Sequence, residues 1–288
     1  MIPKAPPCRL HAGCKINLGL HITGVRADGY HELDSLFYPL PEPHDTLHIR
    51  ENAVPGLTLE CSRMDIDPRR NTVTRAYAAF SAATDFSPAL HVVLEKGIPQ
   101  GAGLGGGSAD AGALLRALNA WAPVPLREAE LVNVAAAVGA DVPFFLYNRP
   151  CRVRGIGERM TPCEPDLSGL HLLLLCPDVH ISTPWAYAAW DRRQAQKNES
   201  QRLTTPGVGA KGWDSCRMWL ANAFEAAVFP DHPKLRMLKE TLLRNGAAAA
   251  VMSGSGASLA AFFRDAETVK TLSGALQEQG LRVFVQAL

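Results

Sequence analysis

Hydrophobic and polar positions alternate cleanly over residues 13–22, GCKINLGLHI. Ile16, Leu18, Leu20 and Ile22 fall on one face and Lys15, Asn17 and His21 on the other, which predicts a half-buried strand with Lys15 and Asn17 side by side on the non-core face. Asp28-Gly29 follows as a turn signal. Further strand-like runs occur at 46–50, 57–61 and 90–96, and an alanine-rich helix is expected over 71–83. Leu114, Leu115, Leu118 and Trp121 recur at helical spacing, and a second helix, Leu126 to Val138, stops at Gly139. Leu170 to Cys176 reads as a buried strand, whereas 191–212 is polar without period and reads as an exposed, mobile loop. Beyond Trp213 come two helical stretches, then strand, glycine-serine turn, strand, and finally helix and strand over 266–288. Strands and helices alternate without a strict parallel pattern, which favours an α+β fold. The 288 residues suggest two domains at about 150 residues each.

Composition narrows the functions available. The chain carries 29 Lys and Arg against 28 Asp and Glu, a net charge of +1, which argues against a basic face that grips nucleic acid. No apolar run reaches the length of a membrane span, and the first residues lack the apolar stretch of a secretory signal. Seven cysteines, at 8, 14, 61, 151, 163, 176 and 216, form no C-x-x-C pair, so zinc and redox chemistry are disfavoured and a reducing cytoplasm is expected.

The strongest chemical signal is the glycine run in GIPQGAGLGGGSADAGALL. Such a loop lets backbone N–H groups converge on a ligand, and where it opens a helix those groups and the dipole make an anion site. Phosphate is the natural guest. A flexible linker would not sit between a strand and a capped amphipathic helix. Ser108 reads as the N-cap, with Asp110 favoured by the dipole in the first turn. The lysine of a Walker A motif is absent. G-x-G-x-x-G is matched from Gly101 to Gly106, yet about 100 residues precede it and no acid follows at the spacing a dinucleotide site needs, so a dehydrogenase is disfavoured.

P-x-G-x-G-L-G-G-G-S-A resembles the phosphate-binding signature of the GHMP kinases, the family of galactokinase, homoserine kinase, mevalonate kinase and phosphomevalonate kinase. K-I-N-L, R-x-D-G-Y-H and G-A-D-V-P together resemble the branch that phosphorylates a cytidine diphosphate-linked methylerythritol on the non-mevalonate route to isoprenoids, and S-G-S-G-A-S resembles the third family motif. The resemblance spans residues 13 to about 260. It implies a two-domain α+β fold, an N-terminal ATP-binding domain over 1–162 similar to domain 2 of ribosomal protein S5 and a ferredoxin-like C-terminal domain over 163–288.

By the same resemblance Asp141 is the catalytic carboxylate and Lys15 its partner, although alone each reads as a turn aspartate and a solvated lysine. Pro99, Gln100, Gly101, Ala102, Gly103 and Leu104, with Gly105, Gly106, Gly107, Ser108 and Ala109, wrap the ATP phosphates, and Ser108 offers its hydroxyl to Mg²⁺. Tyr30 stacks on the cytosine and His31 bonds its polar edge, with Asn17 holding the substrate. Tyr187 is the opposing aromatic wall, with Trp185 as a rival. Gly254 and Gly256 close the site, with a plain hairpin turn as the alternative. Arg152, Arg154 and residues 191–212 match no family motif. The expected partners are ATP and the small-molecule substrate, with no nucleic acid or membrane, in a monomer or weak homodimer. The alternatives are another GHMP small-alcohol kinase, of homoserine or mevalonate type, or a nucleotide-binding regulator without catalysis.

Overall fold

The computed structural model describes residues 7–63, 67–195 and 213–288. The alternating N-terminal pattern becomes a long strand, β1 (Cys8–Val25), paired with β2 (His31–Glu51). Its burial departs from the sequence pattern. Ile16, Leu18, Leu20 and Ile22 are buried as expected, but Lys15, Asn17 and His21 on the other face are buried too. Period-two alternation identifies a strand, but it does not reveal that further elements cover the polar face.

The described residues group into two compact units that interleave along the chain. The first takes the described residues up to Lys15, then Pro39–Pro99 and Gly105–Arg149. The second takes Ile16–Tyr38, Gln100–Leu104 and the described residues from Pro150 onward.

In the first unit, Thr46–Glu51 of β2 pair antiparallel with β4 (Leu90–Glu95), and β3 (Leu57–Cys61) lies parallel to β4. Four helices pack among themselves: α1 (Thr72–Thr84), α2 (Gly106–Trp121), α3 (Glu128–Val138) and α4 (Val142–Tyr147). Asn71 caps α1, its Oδ1 accepting from the Val73 N–H at 2.9 Å. Gly139 ends α3 in extended backbone (φ 178°) rather than in the left-handed form. The short α4 was not foreseen: Val142-Pro143-Phe144-Phe145 is apolar throughout and too short to carry a period, and proline is tolerated in its first turn. Phe80, Leu94, Leu114 and Phe144 are fully buried in this unit.

In the second unit, Leu33–Phe37 of β2 pair antiparallel with β5 (Cys151–Gly155), which pairs with β6 (Arg159–Pro162). A four-stranded antiparallel sheet runs in the order β10 (Arg282–Ala287), β7 (His171–Cys176), β9 (Leu259–Phe263), β8 (Ala249–Met252). The remaining helices are α5 (Thr183–Gln194), α6 (Trp213–Trp219), α7 (Glu225–Val228), α8 (Pro233–Arg244) and α9 (Ala266–Glu278). The core is formed by Leu173 and Leu175 of β7, Phe263 of β9, Leu235 and Leu242 of α8 and Val269 of α9. The expected loop over 191–212 is corrected at its start: 191–194 finish α5, while 196–212 lie outside the described residues. No described helix is long and apolar enough to cross a membrane.

Candidate active site

The glycine run forms the turn from β4 into α2. Gly101, Gly103 and Gly105 all hold positive φ (65°, 75° and 73°), a conformation that side-chain-bearing residues rarely adopt. At Gly103 a Cβ would lie 2.1 Å from the Ser253 carbonyl oxygen, so even alanine is excluded by contact as well as by backbone.

The helix begins earlier than the sequence suggests. Gly105, not Ser108, is the N-cap, and it provides no side-chain cap bond. Ser108 lies inside the first turn, and Asp110 lies beyond it. Serine is the better intrinsic cap, but the left-handed backbone at Gly105 turns the chain sooner. The amides of Gly106, Gly107 and Ser108 are therefore among the donors that a helix start leaves without intrahelical partners, the arrangement that suits an anion. Thr72 Oγ1 donates to the Gly107 carbonyl at 2.6 Å and steadies the turn.

Lys15 and Asp141, 126 positions apart, come together in the first unit. Lys15 Nζ lies 3.8 Å from Asp141 Oδ2, with the lysine side chain 5 % exposed and the aspartate 35 %. Asp141 stands at the N-cap position of α4 but caps nothing with its side chain, so the carboxylate is not spent on the helix. Burial lowers the Lys15 pKa from the ordinary lysine value, and the carboxylate of Asp141 only partly offsets this. A Cβ on Gly105 would lie 3.3 Å from Lys15 Cγ, so the glycine loop passes directly over the lysine stem.

In the second unit Asn17 is 1 % exposed. Its backbone N–H donates to Ser253 Oγ at 3.1 Å and its Nδ2 donates to Ser35 Oγ at 2.9 Å. Ser253 Oγ donates to the Gly103 carbonyl at 2.9 Å, and the Ser258 N–H donates to that of Ala102 at 3.2 Å. The turn carrying Gly254 and Gly256, both at positive φ (57° and 99°), thus packs on the 102–103 stretch of the glycine loop. It is a hairpin turn between β8 and β9, and it also touches the loop. Asn222 holds it from below, its Nδ2 donating to the carbonyls of Met252 (2.6 Å) and Gly254 (2.7 Å). No motif in the sequence marked Asn222.

His31 stacks on Tyr187 (centroids 4.5 Å apart, planes at 28°) and meets the edge of Trp190 at 5.4 Å. Asp191 Oδ1 accepts from His31 Nε2 at 2.8 Å. Trp185 turns instead to His232, 5.4 Å away, so of the two rivals Tyr187 is the aromatic beside His31. Tyr30 is 61 % exposed. Arg152, which matched no motif, forms a bidentate pair with Asp34 at 2.8 and 2.5 Å and stacks over Trp219, a structural role. Asp110, expected to answer the helix dipole, lies beyond the first turn and instead forms with Lys96 and Asp45 a buried cluster that the motifs did not mark. Among the described residues no group of three His, Cys, Asp or Glu could hold a metal ion.

Two family models match the chain: the GHMP kinases N terminal domain over residues 71–149 and the GHMP kinases C terminal domain over residues 212–281. A protein of Nitratidesulfovibrio vulgaris named 4-diphosphocytidyl-2-C-methyl-D-erythritol kinase is 52% identical, with 97% of this chain and 98% of that protein covered. A namesake from Lawsonia intracellularis is 42% identical, with 98% and 96% covered. Among solved structures, a 4-(cytidine 5'-diphospho)-2C-methyl-D-erythritol kinase superposes with a TM-score of 0.78 at 28% identity, covering 96% of this chain and 98% of the other. A homoserine kinase from Cytophaga hutchinsonii reaches 0.70 at 17% identity, covering 97% and 94%, which speaks to the fold alone. On relatives this similar over almost their whole length, the chain belongs to the 4-diphosphocytidyl-2-C-methyl-D-erythritol kinase family within the GHMP kinases.

Proposed function

We propose that this chain transfers the γ-phosphoryl of ATP to the 2-hydroxyl of 4-diphosphocytidyl-2-C-methyl-D-erythritol, a step toward isoprenoid precursors. The observation that carries the reading is the buried ammonium of Lys15 beside the half-exposed carboxylate of Asp141, under a glycine loop that opens a helix. The acceptor alcohol is tertiary and a poor nucleophile. Phosphoryl transfer passes through a loose transition state, so orientation and charge matter more than a strong base. Asp141 orients the alcohol and accepts its proton. Lys15 holds Asp141 in place and counters the charge developing between alcohol and phosphate. The loop from Pro99 to Ala109 holds the triphosphate through its amides.

Mg²⁺ enters as part of the nucleotide substrate, since this ion is usually held through substrate phosphates and few protein ligands. The Ser108 hydroxyl is the group of the loop suited to it. We assign His31, Tyr187 and Tyr30 to the cytosine, and Asn17, Gly254 and Gly256 to the rest of the substrate. The chain works as a monomer or weak homodimer, and in the cytoplasm, a location supported by its seven free thiols. The family domains are assigned to 1–162 and 163–288.

The test is an ATP-consumption assay with the full substrate and with methylerythritol phosphate lacking the cytidine. Turnover that depends on the cytidine diphosphate is expected. Equal turnover on both alcohols overturns the substrate assignment, and no alcohol-dependent ATP consumption overturns the kinase reading.

A further inference from the structure

The first unit holds a second set of buried charges that the proposed chemistry does not use. The side chains of Asp45 of β2, Lys96 just after β4 and Asp110 of α2 are all buried. Lys96 Nζ donates to Asp45 Oδ2, and to Asp110 Oδ2 at 2.7 Å. The other oxygen of Asp45 accepts the backbone N–H groups of Gly97 (2.7 Å) and Ile98 (2.8 Å). A Cβ on Gly97 would lie 2.3 Å from the His44 carbonyl oxygen, and one on Gly106 would lie 3.2 Å from Asp45 Oδ2. Asp45 is thus packed against the residues that enter the glycine loop and against the first residue of the helix that leaves it.

These bonds join 96–98 to 106–110, the two ends of the loop. A segment so rich in glycine loses much conformational entropy when it is ordered around a ligand, and tying its ends in advance reduces that loss. Asp110 Oδ1 is buried with no hydrogen-bond partner among the described residues. Burial, with Asp45 beside it, pushes the Asp110 carboxyl up to about 8, and two acidic side chains crowded around one ammonium make a poor device for stability alone, because an apolar trio of similar volume often stabilises as well.

We propose that Asp45, Lys96 and Asp110 are positioning residues that clamp the two ends of the phosphate loop and so set the affinity for the ATP phosphates. This rests on the kinase reading. It predicts that loosening the clamp weakens nucleotide binding selectively.

The experiment pairs calorimetric titration of MgADP with steady-state kinetics on the full substrate, for Asp110→Ala, Lys96→Met and Lys96→Arg. Asp110→Ala removes the contact with Lys96 and leaves Lys96 paired with Asp45. It is expected to weaken MgADP binding at least about threefold and to raise KM for ATP in step, with kcat and KM for the alcohol within about twofold. Lys96→Met is expected to weaken MgADP binding at least about tenfold, and Lys96→Arg, which keeps the cation, to recover most of it. If Lys96→Met fails to fold, Asp110→Ala decides. Unchanged MgADP affinity in Asp110→Ala overturns the proposal. So does a parallel loss of kcat and of both KM values, which is the mark of general damage. Intact MgADP binding in a wild-type protein that does not turn over this alcohol would defeat the substrate assignment instead, and would leave the loop result readable.

Discussion

At the smallest scale the proposed chemistry turns on two residues. Asp141 sits at a helix start without capping it, and Lys15 is buried beneath it. A positioned proton acceptor contributes about 10²- to 10⁴-fold to a rate. Asp141→Asn is therefore expected to lower kcat by at least about 10²-fold with MgATP binding retained, read by initial rates and by titration of nucleotide. The acidity of Lys15 gives a second expectation. Burial lowers its pKa from 10.5, so the charged form that supports Asp141 is complete at low pH and is lost as pH rises through the folded value. The alkaline fall of kcat/KM should begin below pH 10.5 and move upward in Lys15→Arg, whose guanidinium stays charged. A fall at the same pH in both proteins would assign it to another group.

At the scale of elements, the glycine loop proposed to hold the triphosphate depends on backbone that glycine alone supplies cheaply. Gly103→Ala forces φ 75° on a residue with a Cβ and drives that atom to 2.1 Å from the Ser253 carbonyl. A cost of about 1–3 kcal/mol from the backbone alone is expected, seen as a melting point lower by several degrees together with weaker nucleotide binding. The loop was legible in the sequence because glycines at 101, 103 and 105 have few explanations other than close approach. Lys15 and Asp141 could be named only through family motifs, since a lysine in an alternating strand ordinarily faces water. The clamp could not be read at all: Asp45 lies in β2, Lys96 just after β4 and Asp110 in α2, and nothing local to any of them signals that they meet. Helix α4 escaped for the opposite reason, being too short and too uniformly apolar for a period to show. The polar start of 191–212 suggested a loop, yet Asp191 belongs to α5 and bonds His31.

For the whole molecule, stability rests on two sets of buried side chains. Phe80 of α1 is fully buried in the first unit and Leu173 at the centre of β7 in the second. Phe80→Ala is expected to lose about 3–5 kcal/mol and Leu173→Ala about 2–5 kcal/mol in urea denaturation. A loss below about 1 kcal/mol at either position would mean that its surroundings collapse into the space. The net charge of +1 supplies no broad attraction for a triphosphate, which leaves that work to local donors such as the loop amides. The compact units are not consecutive pieces of chain: β1 belongs to one up to Lys15 and to the other from Ile16, and β2 and the glycine loop change over in the same way. A chimera spliced from two relatives at any single crossover between residues 16 and 149 would therefore inherit mismatched halves of at least one core, so recombination within this family should succeed by exchanging interleaved blocks rather than by one cut.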